Sequence, residues 1–349
     1  MVGAHVTDAW TRPEDRGRAL YMYTVFVAGM AAPLFLFLAG LTTAMAASAR
    51  ADKVGHGAAA HQALKRGVQV FALAFLFRLQ SQLLGWGALS NFLKVDILNV
   101  MGIAMFVAAL LWRMSSHRII RIVLFAIATG VVAMSTPLVR EAGALGTLPD
   151  PIEAYIRPLP GRTTFALFPW MAFVLGGAIA GELVFAAKSV ARERMLQIGL
   201  LAAGAGAVLV SYAASFRPAI YAVSNFWTSS PTFFFLRLGI CTALLPAARA
   251  IDAFHGLVRA RVGHRLPDGS PGKFIATLGR SSLFVYWIHV EMAYGAVARP
   301  LRRALPLEIS LMATVALCVL LYAIVKWKDR KMAGRELTGA WKIFAPILK

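Results

Sequence analysis

Long apolar stretches separated by short polar connections run through most of the chain. At a rise of about 1.5 Å per residue, a helix made from each stretch could cross about 30 Å of hydrocarbon. The pattern therefore predicts an all-α fold, a polytopic transmembrane helical bundle of about nine spans. The predicted spans run from Tyr23 to Ala49, Gly67 to Gly87, Val95 to Trp112, Ile119 to Val139, Thr163 to Ala187, Leu196 to Ala214, Pro231 to Ala248, Phe274 to Ala298 and Pro306 to Trp327.

Composition supports the bilayer as the solvent. Apolar residues make up 59% of the chain and charged residues 15%. In a typical soluble domain, roughly 45–50% of the residues are apolar and about 25% are charged. The net charge of +20 would suggest nucleic acid in a soluble protein, but basic cytoplasmic loops explain it in a membrane protein. We therefore expect membrane lipids and no nucleic acid as partners. Cys241 and Cys318 lie in apolar runs, so neither a disulfide framework nor a metal site is predicted.

The distribution of Lys and Arg predicts the orientation, because cytoplasmic connections retain basic residues. One set of alternate connections, which includes the C-terminal tail, holds 22 of them and the other set holds 11, with Arg299 to Arg303 as a local exception. We expect one integral membrane domain over 1–349, with an extracytoplasmic segment at 1–22 and a cytoplasmic tail at 328–349. Because no apolar helix precedes the exported segment, we also expect a further transmembrane helix before Met1.

Three arginines lie at least six residues inside predicted spans, where a charge at the bilayer centre costs about 2.5–3.5 kcal/mol. Arg78 lies near the midplane, and structural pairing and a ligand role are equally supported for it. Arg237 lies near the outer end of its span, which favours a side chain that extends to the interface. Arg280 lies near the inner end of its span and precedes a polar stripe.

That stripe consists of Ser282, Tyr286 and His289, which helical spacing places on one face. Such a face could line a polar cavity, although a lone buried histidine is more often satisfied by a structural hydrogen bond. Asp96 and Asn99 lie near the outer end of the third span. Asp96 is predicted either to cap that helix or to pair with Arg78.

His5 and Asp8 are neighbours if the first residues form a helix. The carboxylate could then orient the imidazole and raise its basicity, as a general base needs. Taken alone, the spacing favours a frayed terminus over a site. Elsewhere, Phe168-Pro-Trp170 followed by Gly176, Gly177 and Gly181 predicts a kinked span whose small residues allow close helix packing.

Five of these segments together resemble the multi-span membrane acyltransferases. They are His5 with its Ala-His-x-x-Asp-Ala-Trp setting, Ala32–Gly40, Val95–Ile103, Phe168–Trp170 and Gly279–His289. Their order is similar to that in bacterial relatives of the heparan-alpha-glucosaminide N-acetyltransferase catalytic domain and, more distantly, in the acyltransferase-three family. The chain departs from this pattern because it lacks the first helix with its Asp-x-x-Arg-Gly type motif.

The resemblance implies an acyl-CoA-dependent acyltransferase of the bacterial cytoplasmic membrane. Such an enzyme moves an acyl group, usually acetyl, from cytosolic acyl-CoA to a hydroxyl or amine of an extracytoplasmic glycan. Acyl-CoA is then a co-substrate, and no tightly bound cofactor is expected. The catalytic histidine of the family carries over to His5. Asp8 would orient it, and Arg78 would stabilise the developing oxyanion.

The remaining polar residues receive two predicted roles. Five would line the acceptor cavity, namely Asp96, Asn99, Arg237, Tyr286 and His289. Four near the predicted cytosolic side would bind acyl-CoA, namely Lys65, Arg66, Arg280 and Ser282.

Two other functions remain open. The main alternative is a transporter or flippase for a small polar or lipid-linked substrate, because intramembrane arginines and kinked helices also line transport pathways. The other is a non-catalytic relative whose basic loops bind lipid headgroups. A homodimer is also left open.

Overall fold

The computed structural model describes residues 1–85, 92–262 and 271–332. Within these residues the chain is helical, and extended backbone pairs only at two isolated bridges, so the predicted all-α fold is confirmed. The α-helices are α1 (Val2–Trp10), α2 (Ala19–Gly29), α3 (Ala31–Val54), α4 (His56–Gly85), α5 (Ile97–Arg113), α6 (Arg118–Glu141), α7 (Asp150–Ile156), α8 (Leu167–Ala186), α9 (Val190–Ala214), α10 (Pro231–Val262), α11 (Pro271–Arg280), α12 (Ser282–Tyr294) and α13 (Leu307–Met332).

Six helical stretches of the described chain are long and apolar enough to cross a membrane. Their outer faces are apolar and unburied: on α9, for example, Ile198, Leu209 and Val210 are 67–70% exposed. Water would oppose such continuous exposure, whereas lipid favours it. The chain is therefore an integral membrane protein. The six stretches are Ala19–Val54, Arg118–Glu141, Leu167–Ala186, Val190–Ala214, Pro231–Ala253 and Leu307–Met332.

The prediction of nine spans is not reproduced over the described ranges. The stretch from Gly67 to Gly87 lies largely in α4, where Gln69, Arg78 and Gln80 lower the hydropathy of a 30-residue helix. The stretch from Val95 to Trp112 forms α5, whose 17 residues extend only about 26 Å. Neither helix meets the length and hydropathy of a candidate span.

The segment from Phe274 to Ala298 is not one continuous helix, so the single helix predicted for this span is not found. Helix α11 ends at Arg280, Ser281 has φ −101° and ψ 29°, and α12 runs only from Ser282 to Tyr294. Serine competes for backbone hydrogen bonds, which weakens a helix at the Ser281–Ser282 pair. The ammonium of Lys328 also donates a hydrogen bond to Ser281 Oγ, 3.0 Å away.

The chain divides into two compact units, and the first contains Met1–Ala31, Gln80–Gly87 and His255–Lys349. In this unit α1 packs against α12 and α13. Its buried core consists of apolar side chains from α1, α13 and the connection after α12, namely Val6, Ala9, Trp10, Ala298, Leu317 and Leu321. The backbone N–H of Leu305 donates to Trp10 O, and that of Arg12 donates to Leu305 O, each at 2.9 Å. These bonds hold the end of α1 in place.

The second unit contains Ala32–Leu79 and Ala88–Phe254, with α8 packed against α5 and α6. Helices α3 and α8 approach so closely that a Cβ on Gly177 would overlap the Phe37 carbonyl, and one on Gly40 would overlap the Val174 carbonyl. Helix α8 has non-helical dihedral angles at Phe168. The predicted kink and close packing around Phe168–Trp170 and Gly177 are therefore confirmed.

Candidate functional site

The first residues form the helix α1 rather than the frayed terminus that the spacing alone favoured, and this helix positions two of the predicted site residues. Val6, Ala9 and Trp10 of α1 are buried, and Trp10 Nε1 donates to Ala293 O at 2.9 Å. The burial of these side chains and this hydrogen bond fix the rotation of α1 about its own axis. His5 is consequently half-buried against α12, while Asp8 is exposed.

A tyrosine that the sequence analysis did not single out connects His5 and Asp8. The hydroxyl of Tyr294, the last residue of α12, lies 2.7 Å from Asp8 Oδ2 and 3.3 Å from His5 Nδ1. The carboxylate thus contacts the imidazole through the phenol in a chain of two hydrogen bonds. The predicted orienting role of Asp8 would act through Tyr294.

The direction of these hydrogen bonds follows from their chemistry. An ionised carboxylate only accepts, so the single hydroxyl hydrogen of Tyr294 goes to Asp8. The phenol oxygen must then accept from His5, which places the ring hydrogen of a neutral His5 on Nδ1. His5 Nε2 therefore carries a lone pair, as a general base requires.

His289 lies beside His5 in the interior of the first unit. The two ring centroids are 5.2 Å apart, and His289 is only 1% exposed. The ring of Tyr286 lies 5.6 Å from that of His289 in an edge-to-face arrangement. Of the predicted stripe, Tyr286 and His289 share this buried position, whereas Ser282 is exposed.

Burial increases along this set of side chains, from exposed Asp8 through Tyr294 and His5 to His289. The same burial disfavours the charged imidazolium and lowers the pKa of His5 to about 4. His5 is therefore neutral at pH 7. The first unit thus contains a neutral base with a fixed tautomer, connected to a surface carboxylate.

Arg78 and Asp96 form an ion pair in the second unit, with Arg78 Nη2 3.0 Å from Asp96 Oδ2. Asp96 also caps α5 by accepting from the backbone N–H groups of Leu98 and Asn99. Both predicted roles of Asp96 are thereby confirmed. The Asn99 side chain in turn donates to the hydroxyl of Tyr155 at 3.2 Å.

The other predicted ligand-binding residues lie apart from these contacts or at the surface. The Arg237 guanidinium carbon lies 3.8 Å from the centroid of the Phe233 ring. This cation–π contact stabilises the guanidinium charge. On α4, Lys65 is exposed and Arg66 is half-buried. Arg280 is exposed at the end of α11 and Ser282 begins α12, so the helix break separates these two residues.

A second buried polar cluster in the second unit was not predicted. Glu182 is completely buried, and its Oε1 accepts from Trp112 Nε1 at 2.7 Å and Ser48 Oγ at 2.8 Å. Its Oε2 accepts from Arg121 at 2.8 Å, and Arg118 lies 3.5 Å away. These contacts join α3, α5, α6 and α8. The sequence signal was an acid within a predicted span, but only arginines were considered there.

Tyr294 carried a weaker signal. It lies five residues after His289 in the same apolar segment, beyond the end of the polar stripe defined by Ser282, Tyr286 and His289. Its partners His5 and Asp8 lie almost 290 positions earlier. No local pattern reports such a contact.

The helical fold and this neutral base define the class as a polytopic membrane protein with an enzyme-like polar site. The family model described as heparan-alpha-glucosaminide N-acetyltransferase, catalytic, matches residues 1–214. Because the match covers more than half of the 349 residues, the chain belongs to this family, and it is a membrane acetyltransferase. A comparison with curated proteins found no match. The matched residues include His5, Asp8, Arg78 and Asp96, whereas His289 and Tyr294 lie after them.

Proposed function

We propose that this acetyltransferase moves an acyl group, normally acetyl, from cytosolic acyl-CoA to a hydroxyl or amine of an extracytoplasmic glycan-type acceptor. His5 serves as the general base. The observation that carries the proposal is the Tyr294 hydroxyl between Asp8 and His5, because it leaves His5 Nε2 free to accept a proton. The chain acts in the bacterial cytoplasmic membrane, with the first residues outside and the C-terminal tail inside.

In the proposed reaction, the acceptor hydroxyl or amine loses a proton to His5 Nε2 as its oxygen or nitrogen attacks the thioester carbonyl carbon. A bond forms between the acceptor atom and that carbon, and the carbon–sulfur bond then breaks. The proton held by His5 is returned to the departing thiolate of coenzyme A. During the reaction, Tyr294 and Asp8 stabilise the imidazolium through its Nδ1 hydrogen.

The acyl donor requires cations for its phosphates. Lys65, Arg66 and Arg280 are assigned to this role because basic residues concentrate on the predicted cytosolic side, and the Ser282 hydroxyl is assigned as a hydrogen-bond donor to the same phosphates. Three of these four residues are exposed. Acyl-CoA is a co-substrate in this scheme.

The acceptor is assigned to the polar residues of the predicted outer half, namely Asp96, Asn99, Arg237, Tyr286 and His289. Arg78 is assigned to the oxyanion that forms on the thioester carbonyl. Its ion pair with Asp96 fixes one end of the guanidinium, while its Nε has no hydrogen-bond partner among the described residues.

The test uses the full chain in proteoliposomes with isotope-labelled acetyl-CoA and methyl glucosaminide as the acceptor probe. We expect His5→Ala to lower kcat by about 10²–10⁴-fold. His61→Ala is the matched control, because His61 is exposed on α4, and its turnover should equal that of the wild type. Unchanged turnover in His5→Ala would refute the base assignment. Transport of the probe without acetyl transfer would instead support the transporter.

A further inference from the structure

The buried ring of His289 has one nitrogen without a hydrogen-bond partner among the described residues. We propose that His289 Nε2 accepts a hydrogen bond from a second donor group of the acyl-acceptor substrate, adjacent to the group that His5 deprotonates. His289 is thereby a positioning residue that selects acceptors with two neighbouring donors, such as vicinal hydroxyls or a hydroxyl beside an amine. This inference rests on the proposed function.

The tautomer of His289 is fixed by its own helix. Its Nδ1 lies 2.6 Å from the carbonyl oxygen of Val285, and a carbonyl only accepts. The ring hydrogen is therefore on Nδ1, and Nε2 of the neutral ring carries a lone pair. His289 can serve a ligand only as an acceptor.

The Nε2 atom of His289 receives no hydrogen bond within the described part of the chain. His289 Nε2 is buried with no hydrogen-bond partner in residues 1–85, 92–262 and 271–332, and the residue is 1% exposed. Buried polar atoms in folded proteins are nearly always hydrogen-bonded, so an orphaned one indicates a missing donor. A ligand hydroxyl or amine would supply that donor.

His5 cannot supply it. The hydrogen bond from His5 Nδ1 to Tyr294 leaves His5 Nε2 without a hydrogen. Each of the two rings therefore offers a nitrogen that can only accept, and the ring centroids are 5.2 Å apart. Two acceptors cannot bond to each other. A ligand with two neighbouring donors satisfies both, one through the reacting group and the other through its neighbour.

The experiment compares two acceptors that differ in one donor. Methyl glucosaminide has a hydroxyl beside its amine, and its 3-O-methyl derivative lacks that donor. Acetyl transfer from acetyl-CoA to each is measured with the full chain in nanodiscs, for wild type, His289→Phe and His289→Gln. Phenylalanine keeps the flat ring without an acceptor, whereas glutamine restores an acceptor oxygen. Ile288→Leu, an apolar change on the same helix, is the control.

We expect wild type and Ile288→Leu to prefer methyl glucosaminide over its 3-O-methyl derivative by about tenfold in kcat/KM, mainly through a lower KM. One hydrogen bond contributes a difference of about this size. His289→Phe should reduce this preference to less than about twofold, and His289→Gln should restore part of it. If His289→Phe transfers acetyl and keeps the preference, the inference is overturned while the proposed function stands.

A measurement without acetyl-CoA separates the two proposals. The nitrogen-15 resonance of His289 Nε2, assigned by its absence in His289→Gln, should shift when methyl glucosaminide is added and shift less with the 3-O-methyl derivative. Equal or absent shifts would show that Nε2 meets only water, which overturns the inference. If the wild type transfers no acetyl group, the proposed function fails and this resonance decides the inference alone.

Discussion

Tyr294 donates its hydroxyl hydrogen to Asp8 at 2.7 Å, although the two residues are 286 positions apart in the sequence. This bond keeps the carboxylate at the surface, one group away from the imidazole that it orients. The tautomer of His5 is thereby fixed without a direct ion pair, which would favour the charged ring and raise the pKa of the base.

Tyr294→Phe removes the oxygen that accepts from His5 and donates to Asp8. The imidazole then loses its fixed tautomer, so we expect kcat to fall by about 10–100-fold, less than the loss of the base itself. The KM for acetyl-CoA should stay within about twofold of the wild-type value, because the substitution leaves the residues assigned to acyl-CoA unchanged. Steady-state kinetics with both substrates varied would measure this split.

Tyr23→Phe is the matched control, since Tyr23 is 72% exposed on α2. A Tyr294→Phe enzyme with wild-type kcat would show that Asp8 and Tyr294 do not orient the base.

The pH profile should report the buried position of His5. Its pKa is lowered to about 4 by burial, compared with about 6.5 for an exposed histidine. The unprotonated base therefore persists in acid, and kcat/KM should stay level from pH 8 to about pH 5 and fall near pH 4. A midpoint near pH 6.5 would indicate a solvated imidazole.

The same shift affects stability. Between pH 6.5 and 4 the folded state binds fewer protons at His5 than the unfolded state, so this contribution to stability decreases as the pH falls through that window. Thermal unfolding of His5→Gln should consequently depend less on pH there than that of the wild type.

Arg78 has two assigned roles that a pair of variants can separate. Asp96→Asn keeps the oxygen that caps α5 but removes the charge that pairs with Arg78 at 3.0 Å. We therefore expect a lower Tm and, because Asp96 is assigned to the acceptor, a higher KM for the acceptor with little change in kcat. Arg78→Met removes the guanidinium, and its kcat should also fall, by about 10²–10³-fold. If the two variants have equal kcat, Arg78 is only the partner of Asp96.

Glu182 should be essential for stability. Glu182→Gln keeps the side-chain shape but leaves Arg121, which is only 5% exposed, without its carboxylate. Removing one partner of a buried ion pair typically costs about 3–5 kcal/mol, so the free energy of unfolding should decrease by about that amount. Glu193→Gln, which breaks the exposed pair with Arg249, should hardly change the Tm. A similar Tm shift in both variants would argue against the buried network.

Hydropathy predicted the fold class because lipid-facing helices must be apolar along most of their length. It merged α11 and α12 into one span because the Ser281–Ser282 pair hardly changes an average over a long window. The tertiary contact between Lys328 and Ser281 is not visible in a local average either. The exact number of spans was therefore beyond the apolar pattern.

Residue types and spacing singled out His5 with Asp8 and, separately, His289, but only the family resemblance gave His5 a catalytic role. Their assembly depends on α1 packing against α12, and Tyr294 enters the site only through that packing. The ion pair of Arg78 with Asp96 was among the predicted alternatives. Arg121 lies at the start of the predicted span from Ile119 to Val139, and its buried contact with Glu182 was not predicted.

The site is divided between two short helices, α1 of 9 residues and α12 of 13. Helices of that length are marginal in isolation, so each persists through its contact with the other and with α13. The hydrogen bond from the Trp10 indole to the Ala293 carbonyl oxygen is part of the contact between α1 and α12. Loosening this contact would separate His5 and Asp8 on α1 from Tyr294 on α12, while the long helices stayed folded. Catalytic competence can thus be lost by local undocking, without global unfolding.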